Sequence, residues 1–350
     1  MAYKILILGA SYGSLLGTKL LMAGHDVTLV CRAETAALIN AEGTDVRLKL
    51  RGEEAHRSIL SADLPGKLDA KAPQEVDPSE YDLIALAMQE PQYGTRDIHA
   101  LMTRIAAAKK PCLSIMNMPP LPYLKRIPGL ADVALDSAFT CPEVWDGFDP
   151  ELVTLCSPDP QAFRLPEEKA NVLFVGLPTN FKAAAFSDPA HNALLKTLED
   201  DIAAVTLDGK DVPVKLRLHD SLFVPLAKWS MLLTGNYRCV TRSGVRPIKE
   251  AVHGDLAASE AIYSYIDALA QKLGADASDQ VPFVKYANAA ENLLKPSSVA
   301  RAVDSGAAKV ERVDIVVKLI GDALGIENAD VSETVSTLNA RLLANSALAG

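Results

Sequence analysis

Lys4-Ile5-Leu6-Ile7-Leu8-Gly9-Ala10-Ser11-Tyr12-Gly13-Ser14-Leu15-Leu16 is the stretch that decides the fold. The run Ile5–Leu8 has no polar residue in alternation, as expected of a strand covered on both faces. Gly9 to Ser14 reads as a turn. Leu15, Leu16, Leu20 and Leu21 then recur at helical spacing, and Gly24 supplies a helix stop. Asp26-Val27-Thr28-Leu29-Val30 is a second, β-branched strand. Strand, glycine turn, helix and strand make a βαβ unit, whose two strands must lie parallel.

The alternation continues outward. Leu83–Ala87 reads as a strand, Thr95–Ala108 as a helix, and Cys112–Met116, Val133–Phe139, Leu152–Cys156 and Asn171–Gly176 as further strands. His191–Val205 is helical, and Val212–Leu218 is a short strand or a linker. From Ser221 strand signals vanish, and Ala227–Leu233, Ala257–Leu273, Val281–Leu294 and Val310–Leu324 carry helical apolar periodicity. The expected fold class is α/β: a doubly wound, Rossmann-type dinucleotide-binding domain over residues 1–210, followed by an all-helical domain over 211–350 that supplies substrate contacts and a homodimer interface.

Composition agrees with this plan. At 350 residues the chain is expected to hold about two domains. Hydrophobic residues are 49% and aromatic residues only 5%, which favours helices on an aliphatic sheet over an aromatic-rich sandwich. The formal charge of −9, with no basic stripe, argues against a nucleic-acid partner, because that affinity rests on neutralising phosphates. No apolar run is long enough for a membrane span, and Met1–Leu8 lacks the n-region of a signal peptide, so a cytoplasmic setting is expected. The five cysteines are an odd number without a C-x-x-C, which speaks against a disulfide framework or structural zinc. No H-E-x-x-H, P-loop or G-x-S-x-G is present, and no metal is expected.

A glycine turn opening a helix suits a dinucleotide pyrophosphate: free backbone N–H groups and the positive end of the helix dipole meet there. Gly9, Ala10, Ser11, Tyr12, Gly13 and Ser14 are therefore the candidate cofactor cradle. The usual G-x-G-x-x-G is altered, with Ser11 for the middle glycine and Gly13 one residue early. A plain helix start with no ligand is the alternative. At the end of the second strand, where a carboxylate would select NAD, stands Val30-Cys31-Arg32. Arg32 can pair with a 2′-phosphate, which favours NADP over NAD; a surface arginine at a strand end is the other reading.

Ile7-Leu8-Gly9-Ala10, Gly13-Ser14-Leu15-Leu16 and Ala23-Gly24-His25-Asp26-Val27-Thr28-Leu29-Val30-Cys31-Arg32 resemble the ketopantoate reductase (2-dehydropantoate 2-reductase) family. The resemblance implies an NADP-binding α/β domain, a helical domain of the 6-phosphogluconate dehydrogenase C-terminal kind, and an active site in the cleft between them. It also marks the chain as a divergent member. Where the family has a Thr-Lys pair, Met88-Gln89 stands. Its Gln-Asn-Gly becomes Met116-Asn117-Met118, retaining Asn117 for the nicotinamide end or the substrate carbonyl. Its Lys-Leu-x-x-Asn becomes Met231-Leu232-Leu233-Thr234-Gly235, leaving Lys228 three residues earlier and Asn236 one later. Ser297 and Ser298 match its substrate-binding serine. Its glutamate falls on Lys309 without a gap, or on Glu311 with an insertion. Methionine at 231 can neither donate a proton nor bind a keto-acid carboxylate, so ketopantoate itself is not the expected substrate.

The reading is an NADP-preferring oxidoreductase acting on a small carbonyl or hydroxyl substrate, with NAD possible. Lys228 beside Trp229 is the candidate acid/base, or else a lysine snorkelling from an amphipathic helix. Asn117 is either catalytic and cofactor-binding or a turn former before Pro119-Pro120. Asn236, Ser297, Ser298 and Arg238 are candidate substrate contacts; Met88, Gln89 and Glu311 are candidate cofactor contacts. Lys309 and Glu311 are expected on opposite sides of one helix. His99 reads as structural, and Asp220-Ser221, after His219, reads as a helix cap. Two other functions stand beside this one: an opine-dehydrogenase-like reductive amination using the His219-Asp220 region, and a non-catalytic NADP sensor, suggested by Ser11, Gln89 and Met231.

Overall fold

The computed structural model describes residues 2–349; Met1, part of the N-terminal reading above, and Gly350 lie outside them. The chain divides into two compact units. One holds the chain up to Met88, Gln92–Tyr123 and Glu143–Asp220; the other holds Gln89–Pro91, Leu124–Pro142 and the chain from Ser221 onward. Dividing at 210 separates the units too early, because Leu216–His219 is a strand of the main sheet, paired with Phe181–Ala184.

The strands of the first unit are β1 (Lys4–Leu8), β2 (Asp26–Val30), β3 (Asp45–Leu48), β4 (Arg57–Leu60), β5 (Leu68–Lys71), β6 (Leu83–Leu86), β7 (Cys112–Ile115), β8 (Val153–Ser157), β9 (Gln161–Phe163), β10 (Val172–Leu177), β11 (Phe181–Ala184), β12 (Thr206–Leu207), β13 (Lys210–Asp211) and β14 (Leu216–His219). Eight form one sheet in the order β14-β11-β8-β7-β6-β1-β2-β5. All its pairs are parallel except β11 with β8. β1 is an interior strand between β6 and β2, and Ile5, Leu6, Ile7 and Leu8 have no exposed surface, which explains their unbroken apolar run. A second sheet, β4-β3-β10-β9, and the hairpin β12-β13 complete the unit. Asp208 and Gly209, both at positive φ, turn that hairpin.

The Rossmann-type sheet followed by a helical region is the architecture expected. Several local expectations differ. Val133–Phe139 is not a strand: Asp136–Ala138 is a 3₁₀ turn within the helical unit. Its buried residues Leu135, Ala138 and Phe139 fall three and four apart, a helical spacing. Asn171–Gly176 does contain a strand, but in the second sheet. Strands β3, β4 and β5 are short and half polar, β11 is short and interrupted by Lys182, and the long last helix, Ala329–Ala349, carries no expectation from the sequence. Among the described residues no helix is long and apolar enough to cross a membrane.

In the helical unit the expected helix Ala227–Leu233 is broken. Pro225–Ala227 is 3₁₀, Lys228–Met231 α, Leu232–Asn236 π and Tyr237–Cys239 3₁₀. Face counting with a single α period from Lys228 to Asn236 therefore fails. The wide turn has a cause in Gly235: a Cβ there would lie 1.9 Å from the Tyr286 hydroxyl. That hydroxyl donates to the Met231 carbonyl at 3.1 Å. The phenol occupies the space beside Gly235 and satisfies a carbonyl at the start of the wide turn. Replacing Gly235 by Ala should destabilise the protein by about 2–4 kcal/mol, and Tyr286→Phe by about 1–2 kcal/mol. In urea melts the double variant should lose less than the two single losses added, since both act on one contact. Strict additivity would show that the phenol does not hold the π turn.

Lys19 is the least expected feature of the first unit. Its side chain is 1% exposed on the helix Tyr12–Met22, and its Nζ donates to the carbonyls of Val212 at 3.3 Å and Pro213 at 3.1 Å. The next residue, buried Val214, has φ +66°, a strained setting for a β-branched side chain. The ammonium thus holds the two carbonyls that precede the strained residue. Burial, aided by nearby Lys215 and opposed by Asp211, pushes the Lys19 pKa down to about 7. Between that pH and the ordinary lysine range the unfolded chain binds one proton more than the folded chain, so this group makes stability rise with pH. The advantage of the wild type over Lys19→Met should therefore widen from pH 7 to 9, by at most about 1.4 kcal/mol per pH unit. A gap that stays constant in chemical denaturation across that range would show that Lys19 remains charged in the fold.

Candidate functional site

The carboxyl ends of β2, β1, β6 and β7 are neighbours, and the first-unit candidates follow them. Gly9 leaves β1 at φ +100°, with its N–H on the Val30 carbonyl at 2.9 Å. A Cβ at Gly9 would lie 2.7 Å from the Ala87 carbonyl and 2.9 Å from Met88 Cγ, so only glycine lets the turn pass beneath Met88. A Cβ at Gly13 would lie 2.7 Å from Ile7 Cγ2. Gly13 therefore does the close helix–strand packing. Ser14, which stands at the last glycine position of the usual fingerprint, is buried and donates from Oγ to the Ala10 carbonyl at 2.6 Å. The turn is thus of full length, and the apparent shortening is a swap of roles between Gly13 and Ser14. Ser11 occupies the cap position of the helix Tyr12–Met22 without a side-chain cap bond, and the first turn carries no acidic residue. Tyr12 is half-buried and packs on the sheet core. An 11-residue helix with no side-chain cap and no acidic residue at its start suits an anion.

Arg32 is exposed at the start of the helix Ala33–Glu42. A residue without any sequence signal joins it. Arg164, just past β9, donates to the Ala10 carbonyl. The Arg164 pKa is lowered by loss of water at the guanidinium, opposed by Cys31 and reinforced by the charge of Arg32. The Cys31 thiol is pushed up to about 11 by burial, against the pull of Arg164, and so stays neutral. Asn117 follows β7, and its Oδ1 is buried with no hydrogen-bond partner. The Met88 backbone N–H donates to the Tyr93 hydroxyl at 3.1 Å.

The remaining candidates belong to the helical unit. Lys228 is half-buried at the start of the short α segment. Asn236 closes the π turn, and its carbonyl accepts from Ser297 Oγ at 2.6 Å. Ser297 is itself buried and caps the helix Ser298–Asp304, accepting from Ala300 N–H, while Ser298 is exposed. Arg238 is held within this unit by the Thr234 carbonyl at 3.3 Å and Ser259 Oγ at 2.8 Å. Lys309 and Glu311 do not share a helix, because Val313–Ala323 starts after both. The Glu311 carbonyl accepts from the Tyr237 hydroxyl at 2.6 Å, and its Oε1 accepts from Glu90 N–H at 3.3 Å. Exposed Gln89 precedes that residue. Buried Glu90, another residue not singled out by sequence, accepts from Thr140 N–H at 2.7 Å and Thr140 Oγ1 at 2.9 Å. Burial raises its pKa, while the bonds from Thr140 and Cys141 and the charge of Lys309 oppose the rise.

His219 ends strand β14, and His99 lies half-buried on the helix Arg96–Ala108. Asp220 is not a helix cap: Ser221 Oγ accepts from Phe223 N–H at 3.1 Å and donates to Asp279 at 2.7 Å. Among the described residues no group of three or more His, Cys, Asp or Glu is placed to hold a metal ion.

Residues 5–117 match the model of the ketopantoate reductase PanE/ApbA family. No curated protein matches the chain in sequence. Among solved structures it is similar to the 2-dehydropantoate 2-reductase of Methylococcus capsulatus, at 15% identity and TM-score 0.69, with 98% of this chain and 97% of that one covered. It is also similar to a D-mandelate dehydrogenase in ternary complex with NADH and anilino(oxo)acetate, at 16% identity and TM-score 0.65 over 98% and 99% of the two chains. A dimeric ketopantoate reductase from Staphylococcus aureus aligns at 12% identity and TM-score 0.61, again over 98% and 99%. Residues 5–117 thus resemble the ketopantoate reductase PanE/ApbA family, and the chain carries the ketopantoate reductase fold from end to end at low sequence identity.

Proposed function

We propose that the chain is an NADP-preferring oxidoreductase that moves a hydride between the nicotinamide and a small carbonyl or hydroxyl substrate other than ketopantoate. The observation that carries this reading is the buried, unpartnered Oδ1 of Asn117 at the carboxyl end of β7. A buried acceptor left open at the ligand-binding edge of a doubly wound sheet calls for a donor from a ligand. The uncapped helix start beyond Gly9 supports a pyrophosphate at residues 9–14, and Arg32 supports an adenosine phosphate at the end of β2.

When bound, the nicotinamide supplies or accepts the hydride. The chain's own residues do the rest. Asn117 orients an amide or hydroxyl donor through Oδ1, and Met88 closes the turn over Gly9 without adding charge. Lys228 is the proposed proton donor or acceptor of the helical unit, with Asn236 and Ser297–Ser298 as proposed substrate contacts. Gln89 and Glu311 remain proposed cofactor contacts. Glutamine at 89 and methionine at 231 remove two positive charges from the pattern of the family. That a D-mandelate dehydrogenase of the same fold holds NADH and anilino(oxo)acetate supports a substrate outside ketopantoate. The dimeric relative supports a homodimer.

Titrating NADPH and NADH against the fluorescence of Trp145 and Trp229 tests the reading. Both should bind, NADPH more tightly. Lys228→Met should lower kcat on an accepted substrate by about 100-fold or more while leaving cofactor affinity unchanged. Failure of both cofactors to bind would remove the oxidoreductase reading, and tighter NADH would remove the role given to Arg32.

A further inference from the structure

Arg164 is delivered to the glycine turn by a built arm. Strand β9 pairs antiparallel with β10, and Phe163 stacks on Phe174 at 6.1 Å between ring centroids and 15° between planes. Gly176 allows that close packing, since a Cβ there would lie 3.1 Å from the Phe163 ring. The Phe174 ring is held in turn by the Arg47 guanidinium, 5.0 Å from its centroid. The residue following this stacked pair is Arg164, and its guanidinium rests on the Ala10 carbonyl.

Two guanidinium groups therefore share the end of the β1 and β2 strands in a chain of net charge −9. Arg47, by contrast, is neutralised by Asp45 and Glu168, both at 2.7 Å. Among the described residues neither Arg32 nor Arg164 has a carboxylate partner of this kind, and the Cys31 thiol beside them is neutral. Like charges held near each other without an acid are an unfavourable arrangement for a folded chain by itself. A dianion resolves it. A guanidinium carries five N–H donors, so Arg164 can keep Ala10 and still present a fork to phosphate oxygens.

We propose that Arg164 is a specificity-determining residue: together with Arg32 it forms a two-guanidinium clamp for the phosphomonoester on the adenosine ribose of NADP. This rests on the reading that a dinucleotide lies on the glycine turn. It adds that selectivity comes from an arm of the second sheet as well as from the end of β2, and that one phosphate is gripped from two sides.

The test uses the full chain and four ligands: 2′,5′-ADP, 5′-AMP, NADPH and NADH, measured by calorimetry on the wild type, Arg164→Gln, Arg164→Lys and Arg32→Gln. Arg164→Gln should weaken 2′,5′-ADP and NADPH about tenfold or more, the worth of one charge-assisted hydrogen bond, and leave 5′-AMP and NADH within about twofold. Arg164→Lys, which keeps the charge and a donor for Ala10, should recover part of the loss. Equal weakening of NADPH and NADH would assign Arg164 to the turn or the pyrophosphate and overturn the clamp. Unchanged affinities in Arg164→Gln, with a melting temperature matching the wild type, would overturn it as well. Both of those outcomes leave the oxidoreductase reading standing. A wild type that binds neither dinucleotide overturns that reading and the clamp with it.

Discussion

The close approach of one helix to two strands governs the first unit. Gly13 puts backbone against Ile7, and Gly17 puts backbone against Val27 at 3.3 Å from where a Cβ would sit. Gly9 does the same beneath Ala87 and Met88. With these side chains absent, the helix Tyr12–Met22 packs closely on β1 and β2 and begins just past the carboxyl end of β1. Every other first-unit candidate is placed relative to that end. Val30, whose carbonyl receives Gly9 N–H, leads into Arg32; Ala87 leads into Met88; and Ala10, the residue after Gly9, accepts from the guanidinium of Arg164 just past β9 of the second sheet. Packing at three glycines and the electrostatics of the edge are one problem solved once.

What was legible in the sequence is what depends on short-range periodicity. The βαβ unit was readable because β1 is buried on both faces and its helix repeats leucine at turn spacing. The positions of Asn117 and Arg32 just beyond strand ends were readable from the same alternation. Strands β3, β4, β5 and β11 were not, because each has only four residues and polar members such as Arg47, Arg57, Asp69 and Lys182. Arg164 left no signal at all: an exposed arginine in a polar stretch acquires meaning only from the pairing of β9 with β10. The π turn was hidden for a similar reason. Gly235 is unremarkable in a helix until the phenol of Tyr286, far along the chain, is brought beside it.

The departures from the family pattern also acquire a physical sense. Glutamine at 89 and methionine at 231 stand where the resembled pattern has lysines, so both positions are uncharged. Arg32 and Arg164 carry positive charge near the carboxyl ends of β2 and β1. Buried charge elsewhere serves the fold: Lys19 holds two backbone carbonyls, and Glu90 gathers two N–H groups and a hydroxyl from Thr140 and Cys141 while its own N–H is taken by Glu311. In each case a polar group in an apolar setting is tolerated because its partners are backbone groups that would otherwise be unsatisfied themselves.

The division of the chain has a consequence for heredity and engineering. The polypeptide passes between the two units at 88/89, 91/92, 123/124, 142/143 and 220/221. Cutting at any one of these points severs residues from the unit to which they belong. A gene fragment ending near residue 220 would carry Leu124–Pro142 and Glu90 without the helices they pack with, and the complementary fragment would lack them. Recombination that exchanges one half for that of a relative must therefore import the matching interludes as well. The helical unit of this chain can therefore change by point substitution far more readily than by wholesale shuffling.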